Sequence, residues 1–169
     1  MKVTTKTDIL KHLLRVANRT VGDTTDSITS HVMLTAGPNT LTAMTTDLVA
    51  GTSIVATAQV AEEGSICLPA KKLAEIVGKM PEYAEVSISA DTERWKATIV
   101  CGTYRGTISG MDPVDMPRSP TMEDLDKDQS LVIKLQTKGL DRMIKQVSAF
   151  TQEKNPTDIK LTGVSVTFK

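Results

Sequence analysis

The chain of 169 residues carries 20 basic and 20 acidic side chains, so its formal net charge is zero, which argues against a globally basic nucleic-acid binder. Forty per cent of the residues are hydrophobic but only 3 % are aromatic, which describes a soluble globular protein with a core of Leu, Ile, Val, Met and Ala and without stacking platforms for single strands. No run approaches the ~18 apolar residues of a membrane helix, and polar Thr and Lys stand where a signal peptide needs its apolar segment.

The opening KVTTK alternates, and the spacing of Ile9, Leu10, Leu13, Leu14 and Ala17 then predicts a helix from about Thr7 to Thr20, with Asp8 in its first turn and Gly22 and Asp23 ending it. From Ser27 to about Val60 the period changes to two. SHVMLTA, TLTAMTTD and GTSIVATAQV predict three strands, the first two joined by a GPN turn. In ICLPAKKLAEIVGKMP a short strand passes through Pro69 into a helix that turns Leu73, Ile76, Val77 and Met80 inward and stops at the next proline. EVSISAD, RWKATIVC and YRGTISG are three further alternating strands. Cys67 and Cys101 lie inside apolar runs, the setting of buried, unpaired thiols in a reducing cytoplasm.

DPVDMPRSPTMEDLDKD, between Met111 and Gln129, has three prolines, a run of acids and no apolar period, and reads as an interdomain linker. The expected division is a first domain at 1–115, a linker at 116–129 and a second, incomplete domain at 130–169. After the linker, SLVIKLQ, a helix from about Lys138 to Phe150 and IKLTGVSVTF restart the opening order. At an offset of 130, Leu10 meets Leu140, Leu13 meets Met143, Leu14 meets Ile144, Arg15 meets Lys145 and Ala17 meets Val147; residues 28–34 then meet 160–166 at an offset of 132. A copied unit that stops a third of the way through leaves an apolar face without its partner strands.

Charge is segregated within this neutral chain. The three predicted helices carry Lys6, Lys11, Arg15, Arg19, Lys71, Lys72, Lys79, Lys138, Arg142 and Lys145 against Asp8, Glu75 and Asp141, so the strands and loops are correspondingly acidic. Lys11, Arg15 and Arg19 form one stripe, Lys72 and Lys79 lie near another, and Lys138, Arg142 and Lys145 form a third, each away from the apolar face. If the helices share one side, the stripes make a positive lining suited to a polyanion held through its phosphates. The alternative is a protein-interaction module without DNA, whose basic helices are merely solvated.

No catalytic constellation is legible. His12 and His31 lack a nucleophile or further ligand at a useful spacing and read as structural. Asp124, Asp126 and Asp128 imitate the start of a calcium loop, but Gln129 replaces the turn glycine and Leu135 the bidentate Glu. GTSIVA and GTYRGT lack the spacing and the following helix of a phosphate-binding loop. Neither a cofactor nor a metal is expected, and the chain does not read as an enzyme.

LTAMTTDL at 41–48, GSICLPAKKLAEIVGKMPE at 64–82, VSISAD, and TYRGTISGMDPVDMPRSP at 103–120 together resemble the first domain of the bacterial DNA polymerase III beta subunit, the sliding-clamp family. The stretch from Val132 to Phe150, with IKLTGV, resembles the start of that family's second domain, so the resemblance covers essentially the whole chain. Its most specific parts are TDL, PAKKL, MPE and MDPVDMP, in that order.

The resemblance implies an α+β sliding-clamp fold with two helices packed on antiparallel sheets in each domain. It also implies three similar domains per chain, and two chains joined head to tail in a ring that encircles duplex DNA in the cytoplasm. Such a ring is a processivity factor of DNA replication, tethering DNA polymerase III after a clamp loader has closed it on DNA; it reads no sequence and touches no membrane. Carried onto this chain, the resemblance makes Lys11, Arg15, Arg19, Lys72, Lys79, Lys138, Arg142 and Lys145 the DNA-facing cations. It makes Lys71, Tyr104, Arg105 and Ile108 the surface that meets the second protomer, and Leu161 a wall of the pocket for partner peptides. The family's loop after the first helix offers an Arg to DNA, whereas VGDTTD places Asp23 there.

Overall fold

The computed structural model describes residues 1–22, 27–117, 135–151 and Val164. The chain divides into two compact units, Met1–Pro120 and Thr121–Lys169.

In the first unit, β1 (Lys2–Lys6) runs directly into α1 (Thr7–Ala17). Then come β2 (His31–Gly37), β3 (Thr40–Thr46), β4 (Gly51–Thr57), β5 (Gln59–Glu62) and β6 (Gly64–Pro69), followed by α2 (Ala70–Gly78) and by β7 (Glu85–Asp91), β8 (Lys96–Cys101) and β9 (Tyr104–Ser109). All strand pairs are antiparallel. They form a five-stranded sheet in the order β5-β1-β7-β8-β9 and a four-stranded sheet in the order β4-β3-β2-β6.

The run 51–60, expected as one strand, is two strands in different sheets. At Ala58 the backbone leaves the ladder, its N–H donating to the Asn39 carbonyl at 3.1 Å, and the chain passes from β4 in one sheet to β5 in the other. Alternation alone does not reveal this crossing, because the apolar side keeps facing inward on both sides of the break.

Period-two burial on the strands and helical burial on α1 and α2 meet in one core. Leu10, Leu13, Leu14 and Ala17 of α1 and Leu73 and Val77 of α2 join Val32, Leu34, Ile66 and Leu68 of the four-stranded sheet and Val86, Ile88 and Ile99 of the five-stranded one. Each fully buried leucine contributes roughly 2 kcal/mol. Ile9 and Ile76, expected inward, are half-buried at its margin. Cys67 and Cys101 are buried free thiols, and desolvation, reinforced by Asp112 and Asp115, pushes the Cys67 thiol up to about 12. Beyond β9, Met111 bridges to Cys67 and Met116 is buried, which ties residues 111–117 into the first unit.

α1 is fastened at both ends. The buried Thr7 hydroxyl donates to the Pro81 carbonyl at 2.6 Å and accepts the Ala84 N–H at 3.2 Å, while the Thr7 N–H donates to the Ala84 carbonyl. At the other end Thr45 of β3 donates its hydroxyl to the Ala17 carbonyl at 2.6 Å, satisfying an acceptor that the helix itself leaves open. α2 begins after Pro69 and closes on a tightened turn, with the Met80 N–H donating to the Val77 carbonyl.

The β3–β4 turn explains the TDL signature. Asp47 accepts the N–H groups of Val49 and Ala50 at 2.9 and 2.6 Å, and Thr46 accepts that of Leu48 at 3.0 Å, which fixes Leu48 at a φ of 75°. Those N–H groups hold the Asp47 carboxyl below its ordinary range.

In the second unit the described helix is α3 (Thr137–Ser148), close to the expected span. Its apolar positions Met143, Ile144 and Val147 are 62, 41 and 50 % exposed. The strand-like runs expected at 130–136 and 160–169 lie almost wholly outside the described residues, as do the acidic triplet at 124–128 and Asp23.

Candidate nucleic-acid interface

α1 and α2 pack against each other. Between them an open groove of about 400 Å³ is lined by Lys11, Leu14, Arg15 and Asn18 from one helix and Ala74 and Gly78 from the other. The small residues on α2 let the α1 cations lie across the seam. Beside it, Asp8, His12, Arg15 and Glu82 line a second hollow. Within these hollows Asp8 Oδ1 and Asn18 Oδ1 are buried without a hydrogen-bond partner among the described residues.

The predicted cations fall into four states. Lys11 is half-buried, and its Nζ donates to the Met80 carbonyl at 2.7 Å; its charge therefore sits at the C-terminal end of α2, where the helix dipole is negative. Arg15 is exposed and donates to His12 Nδ1 at 3.1 Å, so His12 is a surface residue beside the α1 cations. By contrast, His31 is buried, with Nδ1 at 3.1 Å from both the Ser30 hydroxyl and the Ser27 carbonyl.

Lys79 and Lys145 are held by carboxylates one turn back, Glu75 at 2.6 Å and Asp141 at 2.9 Å. The hydrogen bond and charge of Lys79 hold the Glu75 carboxyl below its ordinary range, and Glu75 in turn raises the Lys79 ammonium. Arg19, Lys72, Lys138 and Arg142 are exposed and make no ion pair among the described residues. Sequence reasoning named the cations but missed these partners. The four-residue spacing of Glu75 to Lys79 and of Asp141 to Lys145 was the available signal; no pattern marks the Met80 carbonyl as an acceptor.

The expected protomer surface is only partly assembled. β9 is the edge strand of the five-stranded sheet, and its outer backbone row pairs with no described strand. Lys71 is exposed on α2. Strand alternation sets Tyr104, Gly106 and Ile108 on one face and Arg105 on the other. The Tyr104 ring lies over Gly106, where a Cβ would collide with its hydroxyl. Ile108 is 3 % exposed and packs in the core of this unit, so of the three β9 residues expected at that surface Tyr104 and Arg105 are the exposed ones. Leu161 lies outside the described residues.

Among the described residues no group of His, Cys, Asp and Glu could hold a metal ion, and no helix is long and apolar enough to cross a membrane.

A two-sheet α+β unit with paired, cation-bearing helices and an open sheet edge defines a class of binding domain. Residues 1–120 match the family model described as "DNA polymerase III beta subunit, N-terminal domain", and the chain belongs to that family. It is 38 % identical over 109 residues to the beta sliding clamp of Halalkalibacterium halodurans, covering 63 % of this chain and 26 % of the relative. It is 26 % identical over 165 residues to the beta sliding clamp of Chlamydia muridarum, covering 97 % of this chain and 43 % of the relative. The crystal structure of the DNA polymerase sliding clamp from Caulobacter crescentus superposes with a TM-score of 0.82 at 28 % identity, over 96 % of this chain and 43 % of that one. The chain thus spans less than half the length of these relatives.

Proposed function

We propose that the chain serves DNA replication as part of a sliding clamp, supplying the N-terminal domain (1–115), a linker (116–129) and the first residues of a second domain (130–169). In this reading two protomers close a ring around duplex DNA in the cytoplasm and tether DNA polymerase III after a clamp loader has placed it. The role is accessory and non-catalytic. The open edge of β9, with Tyr104, Arg105 and Lys71 near it, meets the second protomer, and Leu161 contributes to a pocket for partner peptides.

The observation that carries the reading is the concentration of cations on the helices of a neutral, family-matched chain. Duplex DNA offers a regular row of phosphates, and cations on helices contact it without reading bases. Arg19, Lys72, Lys138 and Arg142, with Arg15 whose partner is the exposed His12 ring, are the available ligands, whereas Lys11, Lys79 and Lys145 are engaged by a carbonyl or a carboxylate. Those engagements favour the second reading, a protein-interaction module with solvated basic helices.

Binding to a labelled duplex across a salt series separates the two. Arg15→Glu with Lys72→Glu is expected to weaken binding at least about tenfold and to flatten the slope of log K against log salt by about 2, close to one per lost phosphate contact. Unchanged affinity and slope would leave the interaction module as the better account.

A further inference from the structure

α2 and α3 carry one arrangement that the cation inventory does not explain. In each, a carboxylate stands three residues after one lysine and four before another: Lys72 and Glu75 on α2 with Lys79 at its C-cap, and Lys138, Asp141 and Lys145 on α3. With about 3.6 residues per turn, all three side chains of each set fall on one stripe, away from the apolar positions. In both helices the carboxylate holds the later lysine, at 2.6 Å in α2 and 2.9 Å in α3. The earlier lysine makes no ion pair among the described residues. All four paired groups are more than half exposed. The buried residues of α2, Ala70, Leu73 and Val77, lie on the face away from Glu75, and the apolar positions of α3 lie on the face away from Asp141, so neither carboxylate serves packing.

We propose that Glu75 and Asp141 are built-in counter-ions that compete with the phosphates of duplex DNA for Lys79 and Lys145, keeping the grip of these helices weak and exchangeable. The inference rests on the DNA-binding function proposed above. An exposed pair one turn apart is weak enough to open thermally. A lysine so placed passes between its own carboxylate and a passing phosphate with little change in free energy, and the carboxylate adds mild repulsion toward the backbone as the duplex moves. A ring that slides needs contacts of this kind; a lining of unopposed cations would bind more tightly and release more slowly. The mutual perturbation of Glu75 and Lys79 accords with a pair that is formed, not merely adjacent.

The test measures anisotropy of a labelled duplex against salt for the whole chain and for Glu75→Gln, Asp141→Asn, Lys79→Ala, Glu75→Gln combined with Lys79→Ala, and Glu63→Gln. Glu63 is an exposed carboxylate between β5 and β6 and reports the effect of one lost negative charge anywhere on the surface. Glu75→Gln and Asp141→Asn are each expected to tighten binding about twofold beyond Glu63→Gln and to steepen the log–log salt slope by about 0.9, one phosphate contact each. The Glu75→Gln effect should vanish when Lys79 is already Ala. Effects no larger than that of Glu63→Gln, or an effect that survives the loss of Lys79, would overturn the proposal while leaving DNA binding intact. If instead the wild-type chain shows no salt-dependent binding and Lys72→Glu changes nothing, DNA binding itself fails and the proposal goes with it.

Discussion

α1 and α2 lie side by side with cations on comparable stripes, yet they hold them in opposite ways. On α1, Lys11 is half-buried and donates to the Met80 backbone carbonyl, tying one helix to the end of the other. On α2, Lys79 is exposed and paired with an equally exposed Glu75. A lysine that meets a backbone acceptor at a helix end, with its stem half-buried, is a strut, because it joins two elements of the fold. A lysine that meets a solvated carboxylate remains a ligand in waiting, since water, salt or phosphate can replace either member. Charge patterning assigns both to one DNA-facing set, and only the local acceptor separates them.

The largest test of the strut side of this comparison is Thr7→Val. Valine keeps the shape but strips the Pro81 carbonyl and the Ala84 N–H of their side-chain partner beneath α1, at a position fully removed from solvent. Leaving these groups unsatisfied is expected to cost about 2–4 kcal/mol, and to lower Tm by roughly 10 °C in a thermal melt. A near-neutral result would mean that the turn at 80–84 is held by packing alone.

Lys11→Met ranks next. The methionine keeps the apolar stem and removes the ammonium from Met80, which should cost about 1 kcal/mol, with faster hydrogen exchange in the 80–84 turn. On the strut account this variant loses stability yet loses less DNA affinity than Arg15→Glu with Lys72→Glu. A stable Lys11→Met protein with strongly weakened DNA binding would move Lys11 into the ligand class.

Much of the scaffold was legible because period and burial agree. Leu10, Leu13, Leu14 and Ala17 announce α1, the Pro69 start and Pro81 stop bracket α2, and EVSISAD through YRGTISG alternate as β7 to β9 do. The crossing at Ala58 was not legible, since a strand that changes sheets keeps its alternation. A resemblance locates a strand near a partner without saying which of its faces looks outward; period two does say so, and applied to β9 it sends Ile108 inward. The cationic residues of the site were legible by type and spacing. The Met80 carbonyl was not, because it becomes the partner of Lys11 only once α1 and α2 are packed, whereas the His12–Arg15 contact lies within α1 at a spacing of three.

The smallest expected effect belongs to the ligand side of the comparison. Glu75 has its folded pKa lowered, so whatever it adds to stability is present above its unfolded pKa and lost as pH falls through the folded one. Lys79 has its pKa raised, so its share is present below the unfolded pKa and lost as pH rises through the folded one. The pair is therefore complete across neutral pH and fades toward both extremes. Both groups are fully solvated, so screening takes most of this contribution away. Melts of wild type and Glu75→Gln from acid to alkaline pH should superimpose at physiological salt and separate slightly near neutrality only when salt is low. A loss at physiological salt as large as that of Lys11→Met would make Glu75–Lys79 a second strut, and the two helices would no longer differ in how they hold their charge.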